Sequence, residues 1–486
     1  MNYADLFKLS LPETTVVVTA LIVLTIGLTN RRRTGLCTLI ACAGIVVAAF
    51  SFNWMPRSAN FAEGMLVVSP LGSLFQIICL ALAFFAVLLA THDNALADRA
   101  EFIAVLLFAT IGLMLLISSD EFLMIFLGLE LTGLSLYVMA GFNRRDARSA
   151  EAGLKYFLFG STASAFTLFG LSLIYGTFGS TNLALIASSI FTAPLQPMFA
   201  AGIVMALIGF FFKVAAAPFH LWAPDTYQGS PTTSAAFIAS ASKVASFFVL
   251  GKIVLAGFPD LGGSAAWHGL LAGWKPVVAV TAALSILVGN FGALAQSDVR
   301  RLLAYSAVAH AGYTLLGLIA GGPSGFSATL FYSATYAFTL VGAFGVVGVV
   351  ERQTGGTAFE NFRDLRSRSP FLTACMTLFL LSLAGLPPLP GFFGKFYLFS
   401  VAIHSGAAST ALLWLVALAL FGSLVSLYYY LSVLKVMLVG KKEWETASVW
   451  HPRVPEGLAV GALAIIVALL GVFPNLLLAR IAAALS

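Results

Sequence analysis

Fourteen apolar runs, each bounded by polar residues or by Gly/Pro breaks, limit what this 486-residue chain can fold into. They fall near 11–29, 36–53, 69–90, 102–118, 121–142, 151–177, 198–220, 231–256, 273–294, 301–320, 325–350, 370–402, 410–438 and 457–478. About 20 apolar residues in a helix cross about 30 Å of hydrocarbon. The pattern therefore predicts an all-α polytopic membrane protein of about fourteen transmembrane helices. Charged residues make up 9% of the chain. Ordinary globular chains carry about 25%, and a soluble fold is excluded.

The net charge of +6 would suit a nucleic-acid partner if it were gathered on one domain. Its distribution says otherwise. Alternate loops carry Arg31–Arg33, Arg99, Arg144, Arg145, Arg148, Arg300, Arg301, Arg352, Arg363, Arg366, Arg368, Lys441, Lys442 and Arg453. The remaining loops and the termini carry little beyond Lys8, Arg57, Lys275 and Arg480. The positive-inside rule makes the first set cytoplasmic and predicts both termini on the periplasmic side. The basic balance is thus an orientation signal, and no nucleic acid is expected. Arg31–Arg33 follow the first apolar run instead of preceding it, so that run is predicted to be a retained helix, not a signal peptide.

Cys37, Cys42, Cys79 and Cys375 stand singly in apolar runs and are predicted to be packing residues, not disulfide or metal ligands. No Walker, Rossmann or haem-attachment motif is present. Gly342, Gly345 and Gly348 form a small-residue stripe suited to helix contact.

Two runs contain breakers. The seventh reads Lys213-Val214-Ala215-Ala216-Ala217-Pro218, and the twelfth Leu386-Pro387-Pro388-Leu389-Pro390 on to Lys395. Proline removes a backbone donor and crowds the preceding turn, so each helix is predicted to break there. Paired breaks of this kind point to ion paths in transporters. Lys213 stands five residues before Pro218, and Lys395 five after Pro390. The expected organisation is 1–101 for helices 1–3, 102–256 for a first five-helix repeat, 273–438 for a second, inverted repeat, and 457–486 for the last helix. The broken helix is the fourth member of each repeat.

One acid and three lysines lie inside apolar runs: Glu130, Lys213, Lys243 and Lys395. Each charge costs about 2.5–3.5 kcal/mol near the bilayer centre unless it finds water or a partner. Together they predict a path for charge, most simply for protons. Glu130 lies roughly 13 Å into its helix, close to the midplane; it either titrates or ties two helices together. Lys213 is its candidate partner. Lysine suits proton work because a buried ammonium can release its proton, whereas arginine stays charged. Lys243 follows a stretch of small residues that permits close helix contact or leaves room for water. His220 and His310 are either proton intermediates or hydrogen-bonded helix contacts. Lys155, Lys252 and Lys435 are expected to snorkel to run ends, with an exit role the alternative for Lys435, and Tyr428-Tyr429-Tyr430 to form a packing or interfacial patch.

Several segments resemble one family. Leu127-Gly128-Leu129-Glu130-Leu131, Glu151 to Phe157, Ala217-Pro218-Phe219-His220-Leu221-Trp222-Ala223-Pro224-Asp225, and Arg301 to Ser306 followed by His310 look like the antiporter-like subunits of respiratory complex I. Lysine at position 395 is similar to the subunit N branch. The resemblance implies a proton-translocating subunit of the bacterial inner membrane with no cofactor of its own. NADH, FMN, iron–sulfur clusters and quinone would then be handled by other subunits of the complex. Partners would be other membrane-arm subunits, including a neighbouring antiporter-like one. The resemblance makes Glu130 and Lys213 an ion pair, Lys243 and His310 central relay positions, and Lys395 the link to the exit side. A subunit of a multi-subunit cation/proton antiporter is the alternative. Pro12-Glu13 and the loop from Gly141 to Arg145 favour the first reading.

Overall fold

The computed structural model describes residues 3–30, 33–190, 197–267, 269–405, 412–439 and 451–485. Arg31, Arg32, Lys441 and Lys442 of the basic set lie outside the described residues. The amino-terminal helices are α1 (Tyr3–Leu9), α2 (Leu11–Thr29), α3 (Thr34–Ser51) and α4 (Pro70–Ala90). Next come α5 (Arg99–Ile117), α6 (Phe122–Ala140), α7 (Ala147–Phe178), α8 (Leu183–Ile190), α9 (Pro197–Lys213) and α10 (Trp222–Gly229). The middle holds α11 (Thr232–Ala239), α12 (Ala241–Lys252), α13 (Trp274–Leu294), α14 (Val299–Ala320) and α15 (Gly322–Thr354). The rest are α16 (Leu365–Arg368), α17 (Pro370–Ala384), α18 (Pro390–His404), α19 (Leu413–Val439), α20 (Val454–Val472) and α21 (Asn475–Leu485). Two short antiparallel hairpins, Ala59–Phe61 with Leu66–Val68 and Ser264–Ala266 with Gly269–Leu271, occupy loops opposite the arginine-rich face.

Twelve spans among the described residues are long and apolar enough to cross a bilayer. Two further passages, the seventh and the twelfth, are each built from two pieces: α9 with α10, and α17 with α18. The fourteen expected passages are therefore present. Acidic residues start several helices. Glu121 accepts the N–H groups of Leu123 and Met124, and Asp298 that of Arg301, satisfying donors that the first turn leaves open. The spans of α14 and α15 are 94% buried, whereas α3 and α7 are 33% buried and turn leucine and phenylalanine outward. The interior helices thus never see lipid, and polar groups are placed there at lower cost.

The backbone freed at the breaks is satisfied inside the protein. After α9 ends, the N–H of Ala217 donates to Ser285 Oγ of α13 (2.8 Å), and Trp222 Nε1 donates to the carbonyl of Phe212 (3.1 Å). At the other break Gly385, with φ 86°, closes α17, and its N–H returns to Leu381. Only glycine adopts that left-handed conformation without strain.

Two expectations require correction. The eighth passage is not one helix: it is interrupted at Ser240 (φ −118°, ψ −84°), three residues before Lys243. No proline is needed. The Ser240 hydroxyl takes the Ala236 carbonyl at 2.6 Å, competing with the helical ladder in a run of small side chains. The last apolar run also divides, at Phe473-Pro474, into α20 and α21.

Candidate functional site

The polar residues inside the bundle form two groups. The first sits between α6, α7 and α9. Glu130 is half-buried and accepts the hydroxyl of Ser164. Lys213, 5% exposed, ends α9, and its amine has no hydrogen-bond partner. It lies 5.4 Å from the ring centre of Tyr137 and 6.0 Å from that of Phe212. Glu130 and Lys213 both line a cavity of about 10 Å³, room for about one water. The expected ion pair is therefore not a contact pair; the two charges face a shared chamber. Glycines shape it. A Cβ at Gly133 would meet the Lys213 amine at 2.9 Å, and one at Gly160 would meet the Tyr137 hydroxyl oxygen at 2.0 Å.

The second group fills the interior. Lys243 is 3% exposed, and its amine donates to the Ala307 carbonyl of α14 at 2.8 Å. One turn further along α14, His310 lies between two phenols. Its Nδ1 is 2.7 Å from the Tyr332 hydroxyl and its Nε2 is 3.1 Å from that of Tyr430. Tyr430 also bonds the hydroxyl of Ser306. A neutral imidazole donates from one nitrogen and accepts at the other, so this ring can pass a proton between the two hydroxyls.

Lys395 belongs to the same interior group. Its amine donates to the carbonyls of Leu383 (3.2 Å) and Ala384 (3.1 Å) and to Ser423 Oγ (3.0 Å). A lysine from one half-helix thereby caps the open carbonyl end of the other. The amine also lies 5.3 Å from the ring centre of Tyr313. Asn290 donates to the Tyr313 hydroxyl at 2.9 Å and accepts from Tyr429 at 3.3 Å. The rings of Tyr313 and His310 are 5.6 Å apart.

The structure thus gathers Lys243, His310 and Lys395 in one cluster and holds Glu130 with Lys213 in another. No hydrogen bond among the described residues joins the two. His220 lies between α9 and α10, buried, with Nδ1 unpartnered, and hydrogen-bonds to none of the other five. The tyrosine triplet divides: Tyr428 is 69% exposed, and Tyr429 and Tyr430 are buried inside the interior cluster. Sequence reasoning also missed Tyr313, Tyr332, Asn290 and Ser423. A usable signal was Tyr332 and Tyr336, four residues apart and therefore on one helix face. Lys252 does reach a helix end, where Asp120 (2.7 Å) and the carbonyls of Ile117 and Ser119 (both 3.0 Å) hold its amine in place.

Residues 119–425 match the transmembrane family described as NADH:quinone oxidoreductase/Mrp antiporter. A chain of respiratory complex I from Thermus thermophilus superposes with a TM-score of 0.79 at 32% identity, over 97% of this chain and 99% of that one. A chain of the Mrp complex from Dietzia shares the fold (TM-score 0.83, 99% and 97% coverage) at 20% identity. NADH-quinone oxidoreductase subunit N 2 of Acidobacterium capsulatum is 43% identical over 98% of this chain and 99% of its own length. On that full-length identity, the chain belongs to the NADH-quinone oxidoreductase subunit N family.

Proposed function

We propose that this chain carries protons across the bacterial inner membrane as a membrane-arm subunit of an NADH:quinone oxidoreductase. The observation that carries the reading is the interior cluster: two lysines held by backbone carbonyls and a serine hydroxyl and a histidine held by two phenols, all buried, with no carboxylate among their hydrogen-bond partners. A lysine held by neutral acceptors keeps or releases a proton according to the field around it. Lys213, facing Glu130 across the small cavity, is placed to feel that field change. Away from bulk water the attraction between two unit charges is several times stronger than in solvent. Moving or neutralising one of them is enough to load or discharge the other.

In this reading the electron chemistry of NADH, flavin, iron–sulfur clusters and quinone belongs to other subunits, and the chain is a non-redox member of the complex. Its arginine-rich face is cytoplasmic and its termini are periplasmic. Its partners are the adjoining membrane-arm subunits and lipid. Names of full-length relatives and the higher identity to the complex I chain favour this over an Mrp-type antiporter, for which the likeness is of fold alone.

The test is proton pumping by assembled complex carrying Glu130→Gln, Lys213→Met, Lys243→Met or Lys395→Met, with assembly measured separately. Each is expected to lower the number of protons moved per NADH oxidised. Normal assembly with undiminished pumping in all four would overturn the reading.

A further inference from the structure

The interior cluster contains one carboxamide. Asn290, on α13, is 2% exposed. Its Nδ2 donates to the Ile286 carbonyl of its own helix at 2.7 Å and to the Tyr313 hydroxyl at 2.9 Å. Its Oδ1 accepts from the Tyr429 hydroxyl at 3.3 Å. A backbone carbonyl can only accept, so the NH2 end of the amide is the end held at Ile286. Both of its hydrogens are then committed. Tyr313 has to accept from the amide, and Tyr429 has to donate to it. The facing helix leaves room for this junction. A Cβ at Gly422 of α19 would lie 2.7 Å from Asn290 Nδ2 and 2.8 Å from the Tyr313 hydroxyl oxygen, too close for any residue but glycine.

The amide stands between two of the buried titratable groups. On one side, Tyr430 lies 3.1 Å from His310 Nε2, and the ring of Tyr429 is 4.6 Å from that of Tyr430. On the other, the Lys395 amine is 5.3 Å from the ring centre of Tyr313. The polar side chains leading from His310 to Lys395 are therefore Tyr430, Tyr429, Asn290 and Tyr313. His310 does not bypass the amide by bonding Tyr313, because its two ring nitrogens face Tyr332 and Tyr430.

A hydroxyl passes a proton on by accepting one at its oxygen and releasing the one it held. A carboxamide does not: near neutral pH its oxygen stays unprotonated and its nitrogen keeps both hydrogens. A proton arriving at Tyr429 has nowhere to go.

We propose that Asn290 is a positioning residue that fixes the direction of the hydrogen bonds between Tyr429 and Tyr313 and blocks direct proton exchange between His310 and Lys395. The inference rests on the proton-carrying reading above and adds an insulating element to it. The membrane potential acts on every charge that moves across the bilayer. An unbroken relay between the two groups would let protons run back down the gradient the complex builds. With the amide in place, exchange between them has to wait for a rearrangement of the cluster, which ties it to turnover.

Two variants separate insulation from packing. Asn290→Asp keeps the shape, and its carboxyl both takes up and releases a proton. Asn290→Leu keeps the size and carries no polar group. Assembled complex in sealed vesicles is measured for protons pumped per NADH and, without NADH, for the decay of an imposed pH gradient. Asn290→Asp is expected to speed that decay and to lower the protons pumped. Asn290→Leu is expected to hold the gradient as tightly as the unsubstituted complex and to lower pumping, because Tyr313 is no longer held beside Lys395. Equally fast decay with leucine would trace the leak to loosened packing and overturn the proposal. So would tight vesicles with Asn290→Asp, normal pumping by Asn290→Leu, or failure of either variant to assemble. Lys395→Met is the reference for the broader reading. If it pumps normally, that reading fails; if it stops pumping while both Asn290 variants match the unsubstituted complex, only the insulating role is wrong.

Discussion

The two lysines beside the helix breaks look equivalent in sequence and are held in opposite ways. Lys213 ends its half-helix with an unpartnered amine, over aromatic rings, in a small chamber shared with a half-buried glutamate. Lys395 reaches back across its break and gives its amine to two carbonyls and a hydroxyl in the interior. An unpartnered amine is free to shift towards its neighbours, whereas a fully coordinated one is fixed in position. The flank chamber is suited to sensing, and the interior cluster to holding protons in place.

Substitutions separate the two directly. The largest effect on stability is expected from Lys395→Met, which leaves the carbonyls of Leu383 and Ala384 and the Ser423 hydroxyl without their donor. At about 1–3 kcal/mol for each unsatisfied buried group, the assembled complex should melt measurably earlier, besides losing pumping. Tyr430→Phe comes next. It removes the bonds to Ser306 and His310 and should cost about 1–2 kcal/mol, while Tyr428→Phe, on the exposed side, changes neither melting nor pumping. Ser164→Ala takes the hydroxyl from Glu130 and is expected to cost about 1 kcal/mol and to slow pumping.

Among the lysine variants the smaller effect on stability belongs to Lys213→Met. It keeps the aliphatic volume and removes an amine that bonds to nothing, so melting should be unchanged or slightly raised while pumping is lost. Equal destabilisation by the methionine variants at 213 and 395, read by thermal melting of assembled complex, would erase the contrast between the two chambers.

How much of this was legible depends on the residue. Pro218 and Pro387-Pro388 announce their breaks, because a missing N–H is a property of the residue itself. The interruption at Ser240 has no such signal; it depends on a hydroxyl taking a carbonyl that an intact helix would have used. Tyr428, Tyr429 and Tyr430 are identical letters in a row, yet successive helix positions turn by about 100°, so one faces out and two face in. Glu130 and Lys213 are both deep in sequence, but whether their charges touch depends on the rotation of α6 against α9.

By itself the sequence determined the fourteen passages and the two proline breaks, and it set four charges inside apolar runs. Those follow from apolar length and from the cost of putting charge in hydrocarbon, which are local quantities. Only the tertiary structure decided that Lys395 is fully coordinated and Lys213 is not, and that Tyr430 and Tyr332 bracket His310. Partners across helices are chosen by how helices rotate and pack, and that is settled by the whole bundle at once.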